Sequence, residues 1–131
     1  MKNFVLLITF ISTSFFYNCK EQKKVQSLQL VTTEEMQELM SLEDMQLVDV
    51  RTPSEYLEGH VPNAQNIDFL DENFDEQIQS LDKSKPIIVY CKSGGRSAKC
   101  ASKLAALGFE KIYDLEGGFS QWEFKGLEVE N

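Results

Sequence analysis

The chain has 131 residues, which is enough for one domain and leaves little room for a second. Hydrophobic residues make up 42% and charged residues 26%, values that exclude wholesale disorder and a polytopic membrane protein. Thirteen basic against 21 acidic residues give a formal charge of -8, which argues against a nucleic-acid binder that neutralises phosphates. A site for an anion must therefore be built locally.

The small numbers of cysteine and histidine narrow the possible chemistry. Three cysteines are too few for a disulfide framework, and their spacing does not suit zinc, so we expect no metal and no cofactor. His60 is the only histidine, and it would have to be the base in any Cys-His or Ser-His-Asp scheme. Those schemes are therefore weakened.

Residues 1–18 differ in composition from the rest of the chain. Lys2 precedes a short apolar run that is below the roughly 20 residues of a membrane-spanning helix, and Cys19 follows at its polar end. This pattern resembles a bacterial lipoprotein signal peptide, in which the cysteine becomes lipidated; an ordinary signal peptide or an uncleaved anchor are the alternatives. We expect a lipid-anchored monomer exported to the periplasm or outer surface, with residues 19–26 as a tether and 27–131 as the domain.

From residue 27 onward, strand-like and helix-like segments alternate. This alternation predicts an α/β fold with a central parallel sheet of about five strands and helices on both faces. The predicted strands are Leu28–Val31, Leu47–Val50, Ala64–Ile67, Ile87–Tyr90 and Lys111–Leu115. The predicted helices are Thr32–Leu42 with a capping box, one from Pro53 to Gly59, Glu72–Leu81, one after Arg96 that ends near Leu107, and a short one around Phe119 and Trp122.

Cys91 directly follows the most apolar predicted strand, Ile87–Tyr90. In parallel sheets, ligands bind at the carboxyl ends of strands, where the N-termini of helices present free N–H groups. Gly94 and Gly95 let the backbone curl so that several N–H groups face one point. We expect the helix dipole and Arg96 to lower the pKa of the Cys91 thiol, so that the thiolate is a nucleophile without a histidine base.

The distribution of charge indicates the same place. Between Asp82 and Glu110 there is no acidic residue, and the basic residues there are Lys83, Lys85, Lys92, Arg96, Lys99 and Lys103. An acidic protein thus concentrates positive charge around one cysteine, which favours a small anionic ligand. The alternative is a buried cysteine at a strand end beside a solvated helix face.

Three stretches together resemble the signature sequences of single-domain rhodaneses. They are residues 47–67, the loop sequence YCKSGGRSA at 90–98, and LEGGFSQW at 115–122, and the resemblance spans about residues 27–127. It implies a thiosulfate-type sulfurtransferase in which Cys91 takes a sulfane sulfur from a small anionic donor, as a persulfide, and passes it to cyanide or a thiol. The residues expected to bind the donor are Lys92, Ser93, Gly94, Gly95, Arg96 and Ser97. Among them, N–H groups would stabilise the persulfide, while Arg96 and Lys92 would orient the donor.

The length of the loop separates two chemistries. Cys91 to Arg96 spans six residues, as in rhodaneses, whereas the related dual-specificity phosphatases and arsenate reductases carry one more residue to admit a larger tetrahedral anion. This favours transfer of sulfur over chemistry on phosphate. A Cys-loop phosphatase or arsenate reductase, and a non-catalytic module that binds an anion or a sulfur species, are the alternatives.

Some residues near this loop have two interpretations. Asp49 and Arg51 end the second strand at the same sheet edge. They either shape the pocket rim or support the loop, or they form an ion pair or a cap that stabilises the turn into the next helix. Cys100 is too far along its helix to form a disulfide with the nucleophile, so we expect a small buried residue. Phe119 and Trp122 are expected to pack against the core.

Overall fold

Five strands form one fully parallel sheet in the computed structural model, which describes residues 27–42 and 44–131. They are β1 (Ser27–Val31), β2 (Gln46–Asp49), β3 (Gln65–Asn66), β4 (Ile87–Tyr90) and β5 (Lys111–Leu115). The spatial order is β1-β5-β4-β2-β3, so the apolar strand β4 is central. The predicted fold class is confirmed. The predicted signal peptide, the tether and Cys19 lie outside the described residues.

Helices follow every strand, most of them near the predicted positions. They are α1 (Thr33–Leu42), α2 (Pro53–Glu58), α3 (Phe74–Gln79), α4 (Gly95–Ala106) and α5 (Gly118–Phe124). The predicted capping box before α1 is present, because the backbone N–H groups of Thr32 and Glu35 each donate to the other's side chain. Within the described ranges, none of these helices is both long and apolar enough to cross a bilayer.

Two elements are shorter than predicted. The strand expected over Ala64–Ile67 pairs with β2 only at Gln65 and Asn66. The helix expected from Glu72 starts at Phe74, because the Asp71 side chain accepts a hydrogen bond from the Asn73 N–H and holds a turn there.

The strands alternate their side chains between two apolar layers, one on each face of the sheet. One layer contains Ile87, Val89 and Cys91 with α3 and α4, and the other contains Ile88 and Tyr90 with α1 and α5. Helices therefore cover both faces, as predicted. Because all strands are parallel, the loops after β2, β4 and β5 emerge at one edge, where Cys91 lies.

Candidate active site

The sulfur of Cys91 lies inside the turn that joins β4 to α4. The backbone N–H of Gly94 donates to Cys91 Sγ at 3.0 Å, and the Ser97 hydroxyl lies 3.5 Å from the same sulfur. Gly94 has φ +124°, in a region that favours glycine, and this conformation turns the chain into α4. The predicted cradle is therefore formed by the start of α4 around one thiol.

Hydrogen bonds in this turn lower the pKa of the Cys91 thiol below its ordinary value of 9.0. Burial alone raises the pKa, since Cys91 is only 1% exposed. The Ser97 hydroxyl and the backbone N–H groups of Ser97, Gly94 and Ser93 stabilise the thiolate and outweigh that effect. A lowered pKa favours the thiolate, which is the nucleophilic form of cysteine. The ring nitrogens of His60 face other groups, since Nδ1 lies 3.0 Å from the Tyr56 carbonyl oxygen and Nε2 lies 3.6 Å from the Glu130 carboxylate.

The guanidinium of Arg96 is engaged by a carboxylate of α2, an arrangement that the sequence did not predict. Its two terminal nitrogens form a bidentate ion pair with Glu55 at 2.6 and 2.8 Å. Glu55 also accepts hydrogen bonds from the backbone N–H and the hydroxyl of Thr52, both at 3.0 Å, within the capping box of α2. The hydrogen bond with Arg96 is the main cause that lowers the pKa of Glu55 to about 2. Arg96 thus ties the start of α4 to the start of α2.

Sequence reasoning missed Glu55 as a partner of the loop. The spacing of Thr52 and Glu55 fits a capping box, which was a visible signal, but it does not show that Arg96 lies against the same carboxylate. The attraction between Arg96 and the Cys91 thiolate remains, since this thiolate also raises the pKa of Arg96.

The N-terminus of α5 holds the back of the loop. The backbone N–H of Phe119 donates to the Cys91 carbonyl at 2.8 Å, and that of Ser120 donates to the Lys92 carbonyl at 3.0 Å. Gly118 permits this approach, because a Cβ placed there would lie 2.4 Å from the Cys91 carbonyl oxygen. Phe119 is buried, as expected, but packing is only part of the role of α5, since its N–H groups also bind the loop.

Asp49 and Arg51 form a buried ion pair at the carboxyl end of β2. The shortest contact joins Arg51 Nη2 to Asp49 Oδ2 at 2.6 Å, and Arg51 Nη2 also donates to the Gly59 carbonyl at 2.7 Å. Both residues are buried, so the structure does not place them at a pocket rim. The Arg51 guanidinium stacks 4.0 Å from the Phe119 ring centroid and so supports α5 from beneath.

The remaining loop residues and Cys100 differ in exposure. Lys92, Ser93 and Gly95 are exposed. Cys100 is 1% exposed on α4, which confirms the prediction of a buried helix residue, and burial is the main cause that raises the pKa of its thiol to about 12. Within residues 27–42 and 44–131, no group of three or more His, Cys, Asp or Glu side chains could hold a metal ion.

The fold and the site are those of a parallel α/β domain that holds a cysteine at the centre of a backbone-amide loop. Residues 32–125 match the model of the family described as "Rhodanese-like domain", and the chain belongs to this family. The resemblance seen in the three sequence stretches is thereby confirmed.

Two relatives named as thiosulfate sulfurtransferases align with most of the domain. The chain is 35% identical over 86 residues to "Thiosulfate sulfurtransferase GlpE" of Pseudoalteromonas translucida, covering 66% of this chain and 80% of that protein. It is 39% identical over 90 residues to "Thiosulfate sulfurtransferase 16, chloroplastic" of Arabidopsis thaliana, covering 61% of this chain and 75% of that one. These relatives support a place among sulfurtransferases.

Solved structures agree with the fold. A rhodanese-related protein from Thermoplasma volcanium superposes with a TM-score of 0.70 and 29% identity, covering 78% of this chain and 97% of that one. A rhodanese-like domain protein from Staphylococcus aureus gives 0.67 and 32%, covering 79% of this chain and 99% of that one.

Proposed function

We propose that the protein is a sulfurtransferase that moves a sulfane sulfur from thiosulfate or a related donor to cyanide or a thiol. The observation that carries this proposal is the Cys91 sulfur, which accepts a hydrogen bond from the Gly94 N–H at 3.0 Å and lies 3.5 Å from the Ser97 hydroxyl, in a turn that lowers the pKa of the thiol. A stabilised thiolate attacks an electrophilic sulfur without a general base. Two relatives that bear the name thiosulfate sulfurtransferase add support.

The reaction has two half-reactions that balance in atoms and charge. The Cys91 thiolate attacks the outer sulfur of thiosulfate, a bond forms between the two sulfurs, and the S–S bond of thiosulfate breaks as sulfite leaves with the electron pair. The N–H groups that now face Sγ then stabilise the anionic outer sulfur of the persulfide. Cyanide attacks that sulfur, thiocyanate leaves, and the Cys91 thiolate is restored.

Two features of the cradle favour sulfur over phosphate or arsenate. The loop has six residues from Cys91 to Arg96, one fewer than in the related phosphatases and arsenate reductases. Cys91 is 1% exposed, and the adduct that the cradle must enclose is a single sulfur atom in a persulfide, whereas a phosphocysteine carries a whole tetrahedral group.

The test is intact-mass spectrometry of the full chain after incubation with thiosulfate, followed by cyanide. We expect a gain of about one sulfur, ~32 Da, that disappears as thiocyanate is released. Cys91→Ser should abolish the gain, and Cys100→Ser is the matched control that should retain it. The absence of an adduct on the unchanged protein would contradict transfer from thiosulfate.

The same preparation tests the alternatives. Hydrolysis of a phosphoester or reduction of arsenate that requires Cys91 would indicate the second enzyme class. Tight binding of the donor with no change in mass would indicate a non-catalytic module.

We also propose that the protein is exported and anchored by a lipid on Cys19. The support is the sequence of residues 1–18, with Lys2, the short apolar run and a cysteine at its polar end. Expression of the full chain in a bacterial host should give a detergent-phase protein whose mass includes acyl groups on Cys19. Cys19→Ser should shift the protein to the aqueous phase, and a mature form without lipid on Cys19 would contradict the proposal.

A further inference from the structure

The guanidinium of Arg96 and the carboxylate of Glu55 form an ion pair at the end of the active-site loop. Arg96 lies in the first turn of α4, next to Ser97, whose hydroxyl lies 3.5 Å from Cys91 Sγ. Two residues before Arg96, the Gly94 N–H donates to the same sulfur at 3.0 Å. The side chains of the pair are 25% and 26% exposed. The ion pair is therefore open to solvent and belongs to the same helix start that holds the sulfur.

The geometry of the pair determines which donors of Arg96 are occupied. Nη1 and Nη2 donate to the two carboxylate oxygens of Glu55 at 2.6 and 2.8 Å. Glu55 is held in turn by the backbone N–H and the hydroxyl of Thr52, both at 3.0 Å. A guanidinium that binds a fixed carboxylate in this bidentate way has fewer N–H groups left for a second anion. Glu55 thus competes with an incoming anion for Arg96.

Acidic side chains offset the positive charge of the loop. Lys92 and Arg96 are the basic residues between Cys91 and the start of α4. Glu55 neutralises Arg96 directly, and Asp68, in the segment after β3, also acts on Arg96. The pKa of Glu55 is lowered to about 2, so its carboxylate is ionised at neutral pH. Since charges act on each other mutually, the charge of the ion pair acts on an anion that approaches the sulfur.

We propose that Glu55 is a specificity-determining residue, which engages Arg96 and offsets its charge, so that sulfur donors with one negative charge or none are favoured over dianions. This inference rests on the proposed function, and it narrows the class of donor to organic persulfides and thiosulfonates. Thiosulfate remains a substrate, but it gains less from Arg96 than the basic sequence of the loop predicts. With a thiosulfonate, the Cys91 thiolate attacks the outer sulfur, the S–S bond breaks, and a sulfinate leaves with the electron pair.

Alkylation of Cys91 by two reagents measures the charge near the sulfur without any sulfur donor. Iodoacetate carries one negative charge and iodoacetamide carries none, and both react with the thiolate. The ratio of their rates at one pH is therefore independent of the fraction of Cys91 that is ionised. Peptide mass spectrometry of the full chain follows Cys91 separately from the other cysteines. Alkylation of Cys100, which is 1% exposed, reports in the same digest whether a variant is folded.

The variants compared are Glu55→Gln and Glu58→Gln. Glu55→Gln removes the charge but keeps the size of the side chain, and glutamine also fits a capping box. Glu58→Gln is the matched control, because Glu58 is an exposed residue on the same helix. We expect the ratio of the iodoacetate rate to the iodoacetamide rate to rise roughly threefold in Glu55→Gln, as for one partly screened surface charge. The ratio should stay unchanged in Glu58→Gln, and the difference between the two variants should shrink as salt is added.

A second measurement compares two sulfur donors in a thiocyanate assay. Thiosulfate is a dianion and benzenethiosulfonate a monoanion, and both present an outer sulfur for transfer. Glu55→Gln should raise kcat/KM roughly tenfold for thiosulfate and roughly threefold for benzenethiosulfonate, because the electrostatic interaction scales with the charge of the donor. The gain should appear in KM and not in kcat, since the uncovered charge of Arg96 attracts the donor before the sulfur is transferred.

Two results would overturn the proposal. One is an equal alkylation ratio in Glu55→Gln and Glu58→Gln, and the other is an equal gain for the two sulfur donors. A raised alkylation ratio without transfer from either donor would instead refute the proposed function, while the effect of Glu55 on anions would stand. If Glu55→Gln does not fold, Arg96→Gln takes its place. The unpaired Glu55 carboxylate should then lower the ratio roughly threefold, and an unchanged ratio would contradict the proposal.

Discussion

The close approach of α5 to the active-site loop gives a sharp prediction for Gly118→Ala. The new Cβ would lie 2.4 Å from the Cys91 carbonyl oxygen and 2.8 Å from the carbonyl carbon and oxygen of Lys92. These are backbone atoms and cannot swing aside, so α5 and the loop must separate. The separation lengthens the hydrogen bonds from Phe119 and Ser120 that hold the loop.

The expected loss of unfolding free energy in Gly118→Ala has two parts. Gly118 has φ +57°, where an L-residue costs roughly 1–2 kcal/mol, and loss of the two backbone hydrogen bonds adds about 0.5–1.5 kcal/mol each. The free energy of unfolding should therefore fall by about 2–5 kcal/mol. Gly126→Ala is a matched control, because Gly126 has φ +67° but a Cβ there would meet nothing within 4 Å. Gly126→Ala should lower the free energy of unfolding only by the cost of the left-handed backbone conformation, about 1–2 kcal/mol.

Urea unfolding of the two variants measures the difference, and alkylation of Cys91 measures its effect on the site. The loss of chain entropy in the unfolded state is common to both alanines and cancels. Gly118→Ala should also raise the pKa of Cys91, since the N–H groups of the loop no longer converge on the sulfur. Equal stabilities for the two variants, with an unchanged alkylation profile, would refute the view that α5 holds the loop.

Other predictions concern the Arg96 clamp and Cys100. Because the folded-state pKa of Glu55 is lowered from 4.5 to about 2, its contribution to stability is present above pH 4.5 and is lost as the pH falls towards 2. Glu55→Gln should therefore flatten the dependence of unfolding free energy on pH in that window, as measured by urea denaturation. Arg96→Ala should raise the pKa of Cys91 measured by alkylation, because the guanidinium attracts the thiolate. An unchanged pH dependence of alkylation would show that Arg96 does not affect the pKa of Cys91. Cys100→Ala should leave sulfur transfer unchanged in a thiocyanate assay and lower stability by about 1 kcal/mol, and a collapse of activity would contradict its structural role.

Local sequence signals predicted most of the strands and helices, because such signals act within a few residues of the chain. The apolar run Ile87–Tyr90 is the central strand, and the capping box at Thr32 and the proline at Pro53 open helices as expected. The predicted bounds of β3 and α3 were less accurate. At the start of α3, Asp71 holds a turn that a helical sequence pattern does not reveal.

The position of Cys91 at the end of the central strand and the start of a helix was determined by the sequence itself. A strand, a cysteine and two glycines in succession set a thiol at a helix start, and the backbone geometry that follows is local. Tertiary structure alone decided what surrounds that thiol. Glu55 meets Arg96 across 41 residues of chain, and α5 reaches the loop from a later strand, because parallel pairing brings separate loops to one edge.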